Sequence, residues 1–177
     1  MASVTATELP EHSLLQAYRE NGSFTDCYST AIPFRVSQEQ FIYSFYTSWL
    51  FSIERFLLGW LAGYPASDAD ASALASAGTE RFSAWVVEAR SEHQLLMSDV
   101  RQRTRSWLMV QASGADTILY FGSAVVLVEN PRTGKRHMGW LFSAFSGFHR
   151  LYSVLLLKVA VRRLARLYSP SRRASGK

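Results

Sequence analysis

The sequence predicts an α+β fold in which a curved antiparallel sheet wraps around a long C-terminal helix. Residues 81–128 repeatedly alternate apolar and polar side chains with a period of two, which is typical of strands. Short connections such as 113–116 join these segments, whereas parallel neighbours would need crossovers of a dozen or more residues. The last element, from about residue 138 to 168, is apolar on more than one face. A sheet with an exposed apolar face needs such a cover.

The composition suits one globular domain and is unusual only in its aromatic content. A chain of 177 residues is too short for two domains of ordinary size. It carries 11 Phe, 8 Tyr and 5 Trp, which is many for this length. Aromatic side chains bury large areas, but they fill space less evenly than Leu or Val. The composition therefore favours either a bulky core or a cavity lined by rings, and leaves that choice open.

The N-terminal part predicts a lead-in followed by a first strand. Residues 1–23 form the lead-in, with one short helix at about 11–19. Residues 24–32 are rich in Thr and aromatic side chains and lie between Gly22 and Pro33. Such a run, bounded by turn-forming residues, indicates a strand.

Helical signals come next. Ser37 and Gln40 match a capping box, S-x-x-Q, ahead of an apolar stripe that continues to about residue 62. Because about 25 residues is long for a globular helix, we expect a kink or a break near Thr47–Ser48. The Ala- and Ser-rich segment 68–77 predicts a short, peripheral helix capped by Asp68.

Four further strands are predicted in the second half of the chain, at 81–90, 94–99, 101–111 and 117–128. The boundary at Ser98–Asp99 is the least defined. With the first strand this makes five strands, so residues 24–168 are expected to form a single domain. Residues 169–177 are expected to form a basic, disordered tail.

Several classes of site are excluded by missing residues or motifs. The single cysteine, Cys27, excludes an internal disulfide and a zinc site of several cysteines, and it is best explained as a packing residue. No metal site and no cofactor are predicted, because no His has a His or Cys four residues further on. The chain lacks GxGxxG, P-loop, GxSxG and HExxH motifs, which argues against the enzyme classes built on them. Its first twelve residues have no signal-peptide pattern, which predicts a cytoplasmic protein.

The basic charge is concentrated at one end of the chain. Seven cations and no acid lie in the last 20 residues: Lys158, Arg162, Arg163, Arg166, Arg172, Arg173 and Lys177. Without them the net charge of +5 would become −2. This distribution suits binding to an anionic membrane surface at least as well as binding to nucleic acid. In the first case the protein would be peripheral to the membrane. The segment 138–157 is long enough to span a bilayer, but Gly147, His149 and Arg150 near its centre argue against spanning.

The order of the elements resembles the START-like helix-grip superfamily (SRPBCC-like) from about Phe24 to Leu167. The segments TDCY, RTRSWLMV, LYFGSAV and GFHRLYS are also similar to those of a bacterial family of unknown function within it. The resemblance implies a curved antiparallel sheet that grips the C-terminal helix. It also implies a cavity between the two for lipids, polyketides or other apolar molecules. Some members are cyclases, dehydratases or ring-hydroxylase subunits, and many only bind. Five strands are fewer than the superfamily usually has, which implies a small cavity or none.

His149 and Arg150 are the most unusual pair of residues, because they interrupt the apolar C-terminal helix. A buried charge is costly unless it is paired. In one interpretation Arg150 faces solvent and His149 donates to a backbone carbonyl. In the other, His149 faces the cavity and acts as a proton donor or polar anchor.

Asp99 is the second predicted catalytic residue, because it shares a strand face with two apolar residues; an ordinary salt bridge is the alternative. Arg101, Arg103 and Arg105 share one strand face, where they would bind an anionic head group or form a solvated edge. The predicted ligand-binding residues are Trp85, Arg105, Trp107, Tyr120, Phe145 and Tyr152.

Two functions fit these features best. The first is binding of a hydrophobic small molecule or lipid in a cavity between the sheet and the C-terminal helix, with acid–base transformation as an addition. The second is a non-enzymatic membrane-associated or protein-interaction module that uses the C-terminal helix and basic tail. Nucleic-acid binding ranks third, because no aromatic–basic recognition motif is present. The sequence decides neither whether the protein is an enzyme nor whether it forms a homodimer.

Overall fold

The computed structural model describes residues 3–53, 63–126, 128–129, 136–137 and 140–169, with the backbone alone for 128–129, 136–137 and 140–149. The fold is α+β, with a curved, seven-stranded antiparallel sheet and a C-terminal helix. The strands are β1 (Thr5–Ala6), β2 (Phe24–Ile32), β3 (Arg81–Phe82), β4 (Trp85–Ser91), β5 (Gln94–Asp99), β6 (Thr104–Ser113) and β7 (Asp116–Val125). Their order across the sheet is β1-β2-β7-β6-β5-β4-β3. This confirms the predicted fold class and fits a helix-grip-like fold.

The strand count is higher than predicted for two reasons. β1 is only two residues long and pairs with β2 at Ser29 and Tyr28, so it is too short to show a period. The predicted strand 81–90 is a hairpin, because the chain turns at Ser83, which has a φ of 53°. A non-glycine residue seldom takes a positive φ, and the alternation of side chains continues through the turn. A short pair, β8 (Val128–Glu129) and β9 (Arg136–His137), lies outside the main sheet.

Within the described residues, the sheet is accompanied by the helices α1 (Gln16–Glu20), α2 (Gln38–Tyr46), α3 (Asp68–Ala75) and α4 (Trp140–Tyr168). The predicted capping box is present, with Ser37 accepting from Gln40 N and the Gln40 side chain accepting from Ser37 N. α2 ends at Tyr46 and helical backbone resumes at 49–53. The chain therefore has the break that was predicted near Thr47–Ser48. The Thr47 hydroxyl donates to Tyr43 O at 2.6 Å, and Thr or Ser side chains that bond the preceding turn are known to bend helices.

α3 corrects two details of the prediction. Its N-cap is Ser67, not Asp68, and Asp70 completes the capping box. Furthermore, Ala71 and Leu74 are fully buried in the main core. The helix is therefore short and poor in large side chains, yet it packs into the core.

Both faces of the sheet are covered, and this separates two cores. On one face, Phe41, Phe45, Leu108 and Leu157 belong to a large core between the sheet and helices α2, α3 and α4. On the other face, the lead-in supplies Leu9 and Leu15, which pack with Cys27, Leu96 and Trp107. We call these the helix side and the lead-in side of the sheet.

The last turns of α4 lie on α2 and α3. At 29 residues, α4 is about 44 Å long. Leu164 is fully buried, and Arg163 Nε donates to Thr47 Oγ1 at 2.6 Å. Arg163 also approaches Asp68, with 4.0 Å between the charged atoms. In the described part of the chain, no helix combines the length and apolar character needed to cross a bilayer.

Candidate functional site

A cavity of about 140 Å³ lies between the sheet and α4, partly open to solvent. Five aromatic side chains line it among the described residues: Phe45, Phe51, Trp85, Phe121 and Tyr152. Because these rings leave a gap instead of filling the core, the structure combines the two options that the aromatic content left open.

The cavity walls come from parts of the chain that are distant in sequence. Phe121 and Ser123 are two residues apart on β7 and therefore point to the same side of the sheet. Trp85 begins β4 directly after the hairpin at Ser83. Tyr152 and Ser153, from α4, lie opposite the sheet. No single element forms the cavity, and only the packing of α4 on the sheet brings these walls together.

Two polar groups at this cavity have no hydrogen-bond partner in the described part of the chain. Among the described residues, neither Trp85 Nε1 nor Ser153 Oγ is paired, although both atoms are buried. Both residues line the cavity, and Ser153 is 0% exposed. A buried polar group without a partner costs about 1–3 kcal/mol, so such groups call for an explanation.

A polar cluster adjoins the cavity through Ser123. Asp26 Oδ1 accepts hydrogen bonds from Ser123 Oγ at 2.6 Å and from Ser123 N at 3.1 Å. The pKa of Tyr28 is raised to about 12, mainly by burial and also by the charge of Asp26 and a hydrogen bond to it, while Arg150 opposes the rise. Tyr28 therefore stays protonated near neutral pH and can donate a hydrogen bond but cannot serve as a base. Arg150 is exposed and its charge acts on this cluster.

The structure divides the predicted ligand-binding residues between the two sides of the sheet. Trp85 and Tyr152 line the cavity. Trp107 and Tyr120 do not: they pack on the lead-in side, with ring centroids 6.2 Å apart. Trp107 Nε1 donates to Gln94 Oε1 at 2.9 Å. These two aromatic residues are thus separated from the cavity by the thickness of the sheet.

Arg105 borders the cavity, but its guanidinium group is used on the lead-in side. Its Nε lies 2.5 Å from Glu88 Oε2 and donates to Tyr18 Oη at 2.7 Å. The guanidinium carbon also lies 4.8 Å from the centre of the Tyr18 ring. Tyr18 in turn donates to Glu88. Arg105 is 7% exposed, so its described contacts hold α1 against the sheet.

Asp99 forms a turn. Its Oδ1 accepts from Arg103 N at 2.7 Å and from Thr104 N at 3.3 Å. These bonds close the connection between β5 and β6, and Asp99 is not among the described residues that line the cavity. The side chains of His149 and Phe145 lie outside the described residues, although the backbone places both in α4.

Among the residues that line the cavity, the sequence prediction missed the aromatic residues Phe45, Phe51 and Phe121, and also Ser153. Ser153 offers one signal that could have found it: it lies four residues after His149, on the predicted cavity face of the helix. Phe51 and Phe121 carry no such signal, because an aromatic residue in an apolar run is equally consistent with a packed core.

A larger surface cleft, of about 560 Å³, lies at the other end of the sheet. His12, Arg35 and His93 line it and are exposed. Gln94 and Thr117, also in its wall, use their polar groups to join neighbouring segments. Gln38 also lines this cleft and donates to Leu108 O, while its Oε1 has no partner among the described residues. The exposed rim and the scarcity of aromatic side chains make it a poorer site for an apolar ligand.

Within the described ranges, no group of three or more His, Cys, Asp or Glu side chains is placed to hold a metal ion.

Comparison with solved structures finds a protein of similar chain path. No known family matches the chain, and no curated protein does. The crystal structure of CalU16 from Micromonospora echinospora is similar over 94% of both chains, with 10% sequence identity and a TM-score of 0.36. A similarity this distant carries no argument about function.

Proposed function

We propose that the protein binds a small apolar molecule, about the size of one ring, in the cavity between the sheet and α4. The supporting observation is the lining, in which aromatic side chains predominate around a volume of about 140 Å³. An engineered cavity of about 150 Å³ lined by apolar residues binds benzene. Drug-sized ligands usually need about 300–1,000 Å³, so the volume favours a single ring over a lipid or polyketide.

Toluene titration tests this proposal. We expect a Kd on the order of 0.1–1 mM, because a ligand of a few heavy atoms has limited binding energy. Chemical-shift changes in a two-dimensional NMR spectrum should be largest for residues around the cavity. The variant Ser153→Leu places a larger side chain into this space and should abolish the binding. Ser72→Leu, the same change on the exposed face of α3, is the matched control.

The two variants separate cavity binding from general association with apolar surface. Equal toluene binding by wild type, Ser153→Leu and Ser72→Leu would contradict the proposal. If Ser153→Leu is too strained to fold, Ser106→Leu offers a second way to fill the cavity from the sheet.

Acid–base chemistry is an extension of this proposal and depends on His149. If His149 faces the cavity, His149→Phe should preserve stability and abolish toluene binding or turnover. If it forms a structural hydrogen bond, the change should cost about 1–3 kcal/mol by leaving a buried partner unpaired. Thermal melts with and without toluene distinguish these outcomes. A loss of stability with intact binding would contradict a role in the cavity.

The second candidate function is attachment to an anionic membrane, and it is favoured by the exposed face of α4. Leu151, Leu155, Lys158, Arg162 and Arg166 are all exposed and follow one another at steps of three or four residues, which places them along one face. Leu151 is 66% exposed, which is high for a large apolar side chain. No Asp or Glu follows residue 129 in the sequence, so no acid within this helix offsets the charge.

Vesicle flotation tests the membrane proposal. Each cation near an anionic surface adds about 1 kcal/mol, and this contribution fades with salt. We expect binding to vesicles containing phosphatidylglycerol but not to pure phosphatidylcholine. The pair Lys158→Glu and Arg162→Glu should abolish this binding. The pair Arg101→Glu and Arg103→Glu makes the same charge change on an exposed turn of the sheet and should retain most of it.

Truncation after Tyr168 is a separate test of the tail. Residues 169–177 contain little apolar surface to bury, so the thermal midpoint should stay nearly unchanged while vesicle binding weakens. Vesicle binding that is unaffected by both the truncation and the double substitution in α4 would exclude this candidate function.

A further inference from the structure

We infer that the cavity selects neutral ring compounds that carry a hydrogen-bond acceptor, and that Trp85 and Ser153 recognise this acceptor. The inference rests on the proposed function, because it assigns a ligand class to the same cavity. It does not follow from the fold, since it depends on two particular side chains.

The cavity holds two polar groups that have no partner among the described residues. Trp85 Nε1 and Ser153 Oγ are buried and unpaired among the described residues, and both residues line one small cavity. An indole N–H can only donate, so only an acceptor can satisfy it; a serine hydroxyl can donate or accept. An acceptor group on the ligand would therefore remove an energetic penalty that the free protein carries.

Trp107, on the other side of the sheet, differs from Trp85 in the partner of its indole N–H. Trp107 is fully buried in the lead-in core, and its Nε1 donates to Gln94. Trp85 is only half-buried as a residue, but its Nε1 is buried too. Gln94 also accepts from Leu14 N and donates to His12 O. The fold thus provides a partner for the indole that only packs, whereas the indole at the cavity has none within the described residues. This contrast is what a ligand-facing donor would produce.

The charged groups near the cavity favour a neutral ligand over an anionic one. A carboxylate in this cavity would lose its hydration, and such a group needs a paired cation. The guanidinium group of Arg105 is engaged by Glu88 and Tyr18 on the opposite side of the sheet. Arg150 is exposed and acts on Tyr28. The described surroundings therefore favour a neutral acceptor such as a carbonyl, nitrile, ether or phenol oxygen.

Two probes of the same shape test the inference. Benzonitrile and phenylacetylene are both benzene rings with one linear substituent, but only the nitrile nitrogen is a good hydrogen-bond acceptor. We expect the wild-type protein to bind benzonitrile about threefold to tenfold more tightly, the range that corresponds to one net hydrogen bond. In Trp85→Phe the ratio of the two dissociation constants should fall most of the way to one, because only the Ser153 hydroxyl remains to donate. Ser153→Ala should lower the ratio less, because the indole N–H remains.

Trp107→Phe is the matched control, since it removes an indole N–H from the other side of the sheet and should leave the ratio unchanged. Using a ratio within each variant cancels any general change in the cavity. The nitrile stretching frequency of bound benzonitrile provides a second measurement on the wild-type protein. A hydrogen-bonded nitrile absorbs at higher frequency than a nitrile in an apolar solvent. This measurement needs no variant, so it is decisive even if Trp85→Phe does not fold.

The outcomes distinguish this inference from the proposed function. If both probes bind equally and the nitrile frequency matches that in an apolar solvent, the cavity binds rings without recognising an acceptor, and the inference is wrong. If neither probe binds, the proposed function fails and the inference falls with it. A ratio that persists in Trp85→Phe and Ser153→Ala would assign recognition to other residues and would also overturn it.

Discussion

Gly122→Ala should destabilise the protein strongly, because the lead-in side of the sheet is tightly packed around this residue. Gly122 lies in the middle of β7, paired with Cys27 on one neighbour and Trp107 on the other. An added Cβ would lie 2.8 Å from Asp26 O, 3.0 Å from Trp107 Cε3 and 3.1 Å from Leu15 Cδ2. Carbon atoms normally pack at about 3.5–4.0 Å. The methyl group therefore overlaps with a paired strand, a core ring and the lead-in at once.

The magnitude follows from which of these neighbours can move. Overpacking of a core costs about 1–3 kcal/mol, and the upper half applies here because the nearest atom belongs to the backbone of a paired strand. Replacing Gly by Ala also reduces the entropy of the unfolded chain, which stabilises the folded state by about 0.4–1 kcal/mol. The expected net loss of unfolding free energy is about 2 kcal/mol.

Urea unfolding followed by tryptophan fluorescence measures this loss. Gly78→Ala is the control, because its Cβ would meet nothing closer than 3.4 Å and should be neutral or slightly stabilising. In a double-mutant cycle, Leu15→Ala should recover at least about 0.5 kcal/mol of the Gly122→Ala cost by removing one clash. Equal stability of the Gly122→Ala and Gly78→Ala variants would refute the packing described for the lead-in side.

Three further predictions concern the lead-in side and α2. Burial raises the pKa of Cys27 to about 12, so the folded state favours the neutral thiol. The unfolding free energy that depends on this thiol should be fully present below about pH 9 and be lost as the pH rises toward 12. For the same reason, iodoacetamide at pH 8 should label Cys27 only in urea, and fast labelling of the native protein would contradict its burial. Arg105→Met should lower the unfolding free energy by about 1–2 kcal/mol, because Glu88 and Tyr18 lose a shared partner; Arg105→Lys should not restore it, since an ammonium lacks the planar group that stacks on a ring. Ser37→Ala should cost about 1 kcal/mol through loss of the capping box, and a loss below 0.3 kcal/mol in urea titrations would indicate that water replaces the cap.

The features that the sequence predicted well depend on contacts between near neighbours in the chain. The bounds of β2, the capping box of α2 and the break at 47–48 are all decided within about four residues. Period-two alternation also identified which side chains of β6 share a face. In each case the physical cause, a turn residue or a local hydrogen bond, is visible in the sequence itself.

Alternation failed where it carried no information. At Ser83 the chain reverses, but the pattern of side chains runs on as if the strand continued. The N-cap of α3 was misplaced by one residue, because Ser67 and Asp68 are both good caps. These errors are small, and they arise because the same short sequence is compatible with two local structures.

The sequence determined an antiparallel sheet, a C-terminal helix and the sets of side chains that share each strand face. Only the tertiary structure decided which face meets which cover. Both sides of this sheet are apolar, because the lead-in covers one and the helices the other, so alternation could not separate Trp85 from Trp107. The first ring lines the cavity and the second packs beneath Leu15. The cavity exists only where Trp85, Phe121 and Ser153 meet, and no pattern within one segment encodes a contact among three distant ones.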